Sequence, residues 1–200
     1  MPLGYRVRRP GFVWNSWPAM TITTRSGKPL AIRRLTKGDG PALQWFNAAL
    51  SDATRSVFLP HSYDDATVAR YIERSTADID RAYVVLDGEQ IAAYFFLWEF
   101  GERVPMLGIG IADAFQGQGM GQQLMRILIE DARTAGRDGI ELTTVPTNER
   151  AFRLYLSVGF QYVGDVDNVA GDGRVVRERL MFLPLKPGAK PPPRAFKPPI

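Results

Sequence analysis

Three glycines stand within five residues at Gly117, Gly119 and Gly121, inside the stretch ADAFQGQGMGQQL that runs from Ala112 to Leu124. The preceding run, MLGIGI, reads as a strand. In the run that follows, Met120, Leu124, Ile127, Leu128 and Asp131 recur at the 3.6-residue period of a helix, and Gly136 supplies the stop. A glycine costs about 1 kcal/mol against alanine in a helix interior, so three at a strand-to-helix turn need a physical reason. A strand that feeds a helix in this way implies a parallel neighbouring strand. GIELTTV, after the helix, is placed to be that neighbour.

The rest of the chain alternates in a compatible way. MTITT and LAIRRL flank RSGKP as an early hairpin, and GDGPALQWFNAAL predicts a helix with an aspartate cap and Leu43, Phe46, Asn47 and Leu50 on one side. DDATVARYIERS predicts a second helix. RAYVVLDGEQIAAYFFLWEF reads as two strands around an Asp-Gly turn. NERAFRLYLSV is a further helix ended by Gly159, and FQYVGDV and RVVRERLMFL close the pattern as a strand pair. Hairpins at both ends and a strand–helix–strand unit between them predict a mixed sheet covered by helices, in the α/β class. The expected boundaries are a basic extension over 1–19, one domain over 20–185 and a disordered Pro/Lys-rich tail over 186–200.

Composition removes several chemistries. Without cysteine there is no thiolate nucleophile and no sulfur metal site, and a single histidine, His61, rules out multi-histidine metal sites. No metal is therefore expected. The longest wholly apolar run, IAAYFFLW, is far short of the ~18 residues of a membrane span, and MPLGYRVRRPGF lacks the apolar centre of a signal peptide, so a cytoplasmic protein away from membranes is expected. The net charge of +4 hides an asymmetry. Residues 39–185 hold all 21 carboxylates against 13 arginines, a balance of −8, while both ends are purely basic. An acidic body favours a cationic partner. The basic ends bring no aromatic stacking platform, which makes nucleic acid the weakest partner class.

The glycines fit neither common nucleotide signature. No Lys-Ser/Thr pair follows them as a Walker loop requires, and Gln122 stands where the dinucleotide fingerprint needs its third glycine. Two readings stay open on the glycines alone. One is a turn whose bare amides and positive helix end grip a phosphate; the other is a turn that packs closely on the sheet. Gly108 and Gly110, alternating with Leu107, Ile109 and Ile111 on the preceding strand, suggest cleared space for a ligand lying along it.

Gln116-Gly117-Gln118-Gly119-Met120-Gly121 resembles the Gln/Arg-x-x-Gly-x-Gly/Ala motif of the GCN5-related N-acetyltransferases. A second stretch, Asn148 with Leu154-Tyr155 seven residues on and then Gly159-Phe160, is similar to the same family, and together the matches span about residues 104–160. The resemblance implies a mostly antiparallel mixed sheet of about seven strands with helices on both faces. It also implies acetyl-CoA as acyl donor and acetyl transfer to a primary amine, whether a small cationic amine, an amino sugar, a lysine or a protein N-terminus. The cofactor would be held by the backbone of Ile109, Gly110 and Ile111, by Gln116, Gly117, Gln118, Gly119, Met120, Gly121 and Gln122, and by Asn148. Tyr155 would be the general acid for the departing sulfur. By itself, Tyr155 reads more readily as a core residue with a satisfied hydroxyl than as a catalyst, and Asn148 reads as a helix cap.

The family's pattern breaks at the base. Some relatives carry a glutamate five residues before the asparagine, where this chain has Thr143. Glu141, two residues earlier on the same strand face, and Glu99, with Glu102 near the turn into the glycine strand, are the alternatives, each also readable as a surface charge. His61 reads as a loop or capping histidine. The acceptor is expected from the side of residues 41–77 and the turn at 99–103, and a homodimer is compatible with the sequence. A non-catalytic acyl-CoA-binding module is the competing function.

Overall fold

β-Branched and aromatic residues dominate the segments that pair, and eight strands form one sheet in the computed structural model, which describes residues 20–193. The extension expected over 1–19 and residues 194–200 of the tail lie outside the described residues. The strands are β1 (Met20–Thr23), β2 (Pro29–Arg34), β3 (Arg81–Asp87), β4 (Gln90–Trp98), β5 (Met106–Ile111), β6 (Gly139–Thr144), β7 (Gln161–Val169) and β8 (Val175–Pro184). Their order across the sheet is β1-β2-β3-β4-β5-β6-β8-β7. Every neighbouring pair is antiparallel except β5 with β6, which is the parallel pair that the strand–helix–strand pattern predicts. The sheet has one strand more than the seven expected.

Among the described residues five α-helices cover it: α1 (Gly40–Ala49), α2 (Asp52–Arg55), α3 (Asp65–Thr76), α4 (Met120–Thr134) and α5 (Glu149–Ser157). One core lies between the sheet and α4, where Leu124, Met125 and Leu128 meet Phe95 and Ile140. The other lies under α1 and α3, where Leu43, Phe46, Val68 and Tyr71 meet Val84 and Tyr94. The apolar run IAAYFFLW is therefore a central strand buried on both faces, not a membrane segment. Among the described residues no helix is long and apolar enough to cross a membrane.

Local chemistry explains most element boundaries. At the β3–β4 hairpin, Gly88 takes φ +62 as the first of two turn residues, the geometry that matches strand twist. Asp64 caps α3 by accepting from the Thr67 amide at 2.9 Å. Asp39, expected to cap α1, instead faces backwards. It accepts from the Thr36 amide at 2.7 Å and pairs with both terminal nitrogens of Arg33 at 2.7 Å, fixing the turn before the helix. Burial would raise its pKa, but the Arg33 and Thr36 bonds outweigh that and hold it below the ordinary carboxylate value. At the end of β8, Lys186 donates to the Gly136 carbonyl and to Asp138, so the first residue beyond the expected domain boundary is tied to the β6 side of the sheet.

The most buried ion pair joins α3 to the sheet. Asp80 is wholly buried and receives Nε and a terminal nitrogen of Arg74 at 2.6 and 2.8 Å, and its Oδ1 also accepts from the Glu99 amide at 2.8 Å. Removing one member of a buried pair strands the other charge. Asp80→Ala should lower unfolding free energy by about 3–5 kcal/mol, read as a shift in the urea midpoint with an unchanged slope.

Candidate functional site

The parallel pair β5–β6 is incomplete, and the site follows from that. β4 pairs with all six residues of β5, and β8 with all six of β6, yet β5 and β6 share one register position, Met106 opposite Glu141. Beyond it the two strands diverge. From Leu107 onward one edge of β5 has no strand beside it, and unpaired ladder groups are a template for any extended chain of amides. A cavity of about 990 Å³ lies at this opening, at the upper end of the range for ligand sites.

On the α4 side, the glycine turn forms one wall. Gly117 and Gly119 have φ of +78 and +76, conformations that side chains with a Cβ resist. Gly119 is the N-cap position of α4, and no side chain caps that helix. The amides of Gly117 to Met120 donate to no group among the described residues, which leaves them unpaired at the positive end of the helix, where Gly117, Gly119 and Met120 line the cavity. Arg150 and Arg25 also line this wall. The Arg150 guanidinium lies 3.9 Å from where a Cβ on Gly117 would stand, and the Arg25 amide donates to the Gln118 carbonyl at 2.8 Å.

The third glycine has another cause. A Cβ on Gly121 would sit 2.8 Å from the Leu154 side chain, so this glycine lets α4 approach α5. The strand glycines correct the expectation of cleared space in the same way. A Cβ on Gly108 would meet the Phe96 ring at 2.2 Å, and one on Gly110 the Phe58 ring at 2.4 Å. Their face is occupied by aromatic rings that themselves line the cavity.

Of the eleven residues assigned to the cofactor from the sequence, all but Gln118 line this cavity. Gln116 donates through Nε2 to Thr54 at 2.9 Å, which ties the glycine turn to α2. Asn148 caps α5 by accepting from the Ala151 amide at 3.2 Å. Met120 contributes backbone only, its side chain being buried in the core. Tyr155 lines the cavity from α5, and its hydroxyl meets no hydrogen-bond partner among the described residues. Burial first and the nearby Glu178 carboxylate second push its pKa up to about 12, which keeps it a protonated donor at neutral pH.

None of the three glutamates considered as bases is brought in. Glu141 is fully buried at the junction of β5 and β6, below the cavity. Glu99 sits at φ +51 in the turn after β4, its amide directed to Asp80, and neither it nor the turn at 99–103 borders the cavity. His61 lies in the loop between α2 and α3, as expected, but not at its surface. It is wholly buried, its Nδ1 2.6 Å from the Ser62 carbonyl oxygen and its Nε2 3.2 Å from the Tyr94 hydroxyl, and desolvation lowers its pKa.

Two features of the opposite wall escaped the sequence. The segment from Val57 to Pro60 and the tip of the β7–β8 hairpin roof the cavity together. The Gly171 amide donates to the Leu59 carbonyl at 3.0 Å, and a Cβ on Gly171 would lie 2.1 Å from the His61 carbonyl carbon. The second is Glu178 on β8, a carboxylate inside the cavity where Asn168 donates to it at 2.7 Å. Alternation along RVVRERL puts Glu178 on one face with Val176 and Leu180, but nothing local links that face to Tyr155.

Residues 44–160 match the Acetyltransferase (GNAT) family. The chain is 30% identical over 147 residues to the N-alpha-acetyltransferase RimI of Mycobacterium tuberculosis, covering 70% of this chain and 84% of that protein. Among solved structures, the GNAT domain of S. lividans PAT superposes with a TM-score of 0.68 at 19% identity, over 82% of this chain and 98% of that one. The yncA protein of Salmonella typhimurium, with its cofactor acetyl-CoA, does so at 0.65 and 20% identity, over the same shares.

If Phe58 is what excludes a side chain at Gly110, Gly110→Ala should cost about 1–3 kcal/mol by overpacking. A double-mutant cycle with Phe58→Ala should show that the two losses are not additive, and thermal unfolding of the four proteins measures it.

Proposed function

Since the chain belongs to the acetyltransferase (GNAT) family, we propose that it moves the acetyl group of acetyl-CoA to a primary amine, and that this amine is the α-amino group of a polypeptide. The observation that carries the reading is one cavity that joins unbonded glycine-turn amides, an open strand edge and a protonated phenol. These fit the donor's three parts in order. The amides of Gly117 to Met120, with Arg150 and Arg25 beside them, suit a pyrophosphate. The free edge of β5 suits an arm made of secondary amides. Acetyl-CoA, when bound, supplies an acetyl group activated as a thioester.

The chain's own groups then have assignable work. A backbone amide of Ile109 to Ile111 donates to the carbonyl oxygen as negative charge grows there. Tyr155 holds a proton for the sulfur, as general acid. Asn148 keeps α5, and so Tyr155, in place while its side chain borders the cofactor. Two points favour an α-amine among the acceptors. The relative with 30% identity bears the name of an N-alpha-acetyltransferase, and an α-amino group, with a pKa of about 8 against above 10 for lysine, is partly neutral at physiological pH.

Calorimetric titration with acetyl-CoA should give saturable one-to-one binding. Gly119→Val, strained at φ +76 and intruding on the amides, should abolish it with the circular dichroism spectrum retained. Thiol release should appear with a peptide bearing a free N-terminus and vanish when that terminus is blocked. Release only with lysine side chains, amino sugars or polyamines would overturn the α-amine assignment, and binding without any release would leave a non-catalytic acyl-CoA-binding module. Tyr155→Phe should lower kcat about a hundredfold or more while the acetyl-CoA titration stays as in the parent protein.

A further inference from the structure

Among the described residues the cavity is lined by two carboxylates, Asp113 and Glu178. Asp113 is engaged by α2. It accepts from the Ser51 amide at 2.9 Å, the Ser51 hydroxyl at 2.7 Å and the Thr54 hydroxyl at 2.6 Å, which lower its pKa. Glu178 accepts one side-chain bond, 2.7 Å from the Asn168 amide nitrogen, and has acceptor capacity left. The same nitrogen donates to Thr143 at 3.2 Å, so Asn168 spans from β7 across β8 to β6 and fixes the carboxylate against Thr143.

Strand alternation gives the direction. Thr143 lies opposite Leu180, and Glu178 is two residues along β8 from Leu180, so Thr143 and Glu178 share the sheet face opposite to Leu142 and Met181. Leu142 and Met181 belong to the core under α4, with Tyr155 packed against it. Glu178 therefore reaches the opening from the face roofed by Val57 to Pro60, and Tyr155 from the other. Burial first and the charge of Glu178 second raise the pKa of Tyr155, in keeping with two groups that border one cavity.

We propose that Glu178, held by Asn168 against Thr143, is the general base that deprotonates the acceptor amine. This rests on the acetyltransferase reading above. Glu178 takes one proton from the acceptor ammonium, an N–H bond breaking as an O–H bond forms, and passes it to solvent. The nitrogen lone pair forms the C–N bond while the C–S bond breaks with its pair on sulfur. Tyr155 protonates the sulfur and is recharged by the second proton that the nitrogen sheds. One ammonium thus loses two protons, one to solvent and one to the thiol.

The test compares the full chain with Glu178→Gln, Asn168→Ala and the double variant Glu178→Gln/Thr143→Glu. Two acceptor peptides are used, one with a free α-amine and one ending in an aminooxyacetyl group, whose nitrogen is already neutral at pH 7. Glu178→Gln should lower kcat with the α-amine about 10²–10⁴-fold, the usual share of a positioned base, while calorimetric acetyl-CoA affinity is unchanged. With the aminooxy peptide the loss should shrink to about tenfold or less. Asn168→Ala should fall between parent and Glu178→Gln, and a carboxylate at position 143 should restore part of the rate. Full kcat in Glu178→Gln, a rise confined to KM, or equal loss with both acceptors would overturn the role of Glu178. Absence of thiol release from the parent chain with every amine would instead overturn the acetyltransferase reading itself.

Discussion

A parallel pairing that lasts for one register position organises this molecule. Met106 faces Glu141, and beyond that point β5 and β6 part while each remains held along its length by its outer neighbour. A continuous sheet would seal α4 and α5 from α1 to α3 and leave no passage between the two cores. The divergence gives both faces access to one point, and it exposes the backbone edge of β5 where a strand would otherwise be. A parallel pair is the suitable place for such a break, because its crossover helix begins at the same end and brings an uncapped N-terminus to the opening.

Two kinds of group then meet at the opening for different reasons. Tyr155 comes on a helix, and its hydroxyl is desolvated enough to stay protonated. Glu178 comes on a strand from the other face and is held by neighbouring strands rather than by a loop. An acid and a carboxylate that arrive from opposite faces suit two reactants that enter from opposite faces. In the proposed reaction the glycine-turn wall, with Arg25 and Arg150, takes the anionic donor, and the wall with Glu178 takes the amine.

Much of this was legible because it is local. The 3.6 period of α4, the Asp-Gly hairpin and the two motif stretches each depend on residues within one turn or one strand of each other, and they led to the right elements and to residues that line one wall of the cavity. What was not legible depends on partners far along the chain. Gly110 is small because of Phe58, and Gly121 because of Leu154. The four-residue α2 is too short to register as a periodicity, and it is held by Asp113, some sixty residues away. Glu141 lies on the strand face it was read to occupy, but depth along a strand is set by where the neighbouring strand stops pairing, which only the register reveals. Glu178 was passed over because its distance from Tyr155 is a property of the closed sheet.

The contact between Gly171 and the His61 backbone also bears on the order in which the protein becomes competent during synthesis. The loop that forms one side of the roof is made early, and the hairpin tip that meets it is made more than a hundred residues later. Between those moments β6 has no neighbour on its β8 side, because the strand that fills that position is the last in the sheet. The closing of such a long loop is slow relative to local structure. The N-terminal half can therefore gather its aromatic core on the ribosome, but the cavity is complete only after the final hairpin has emerged and docked. A nascent or truncated chain ending before Val175 would hold the glycine turn and Tyr155 without Glu178 or the paired hairpin side of the roof.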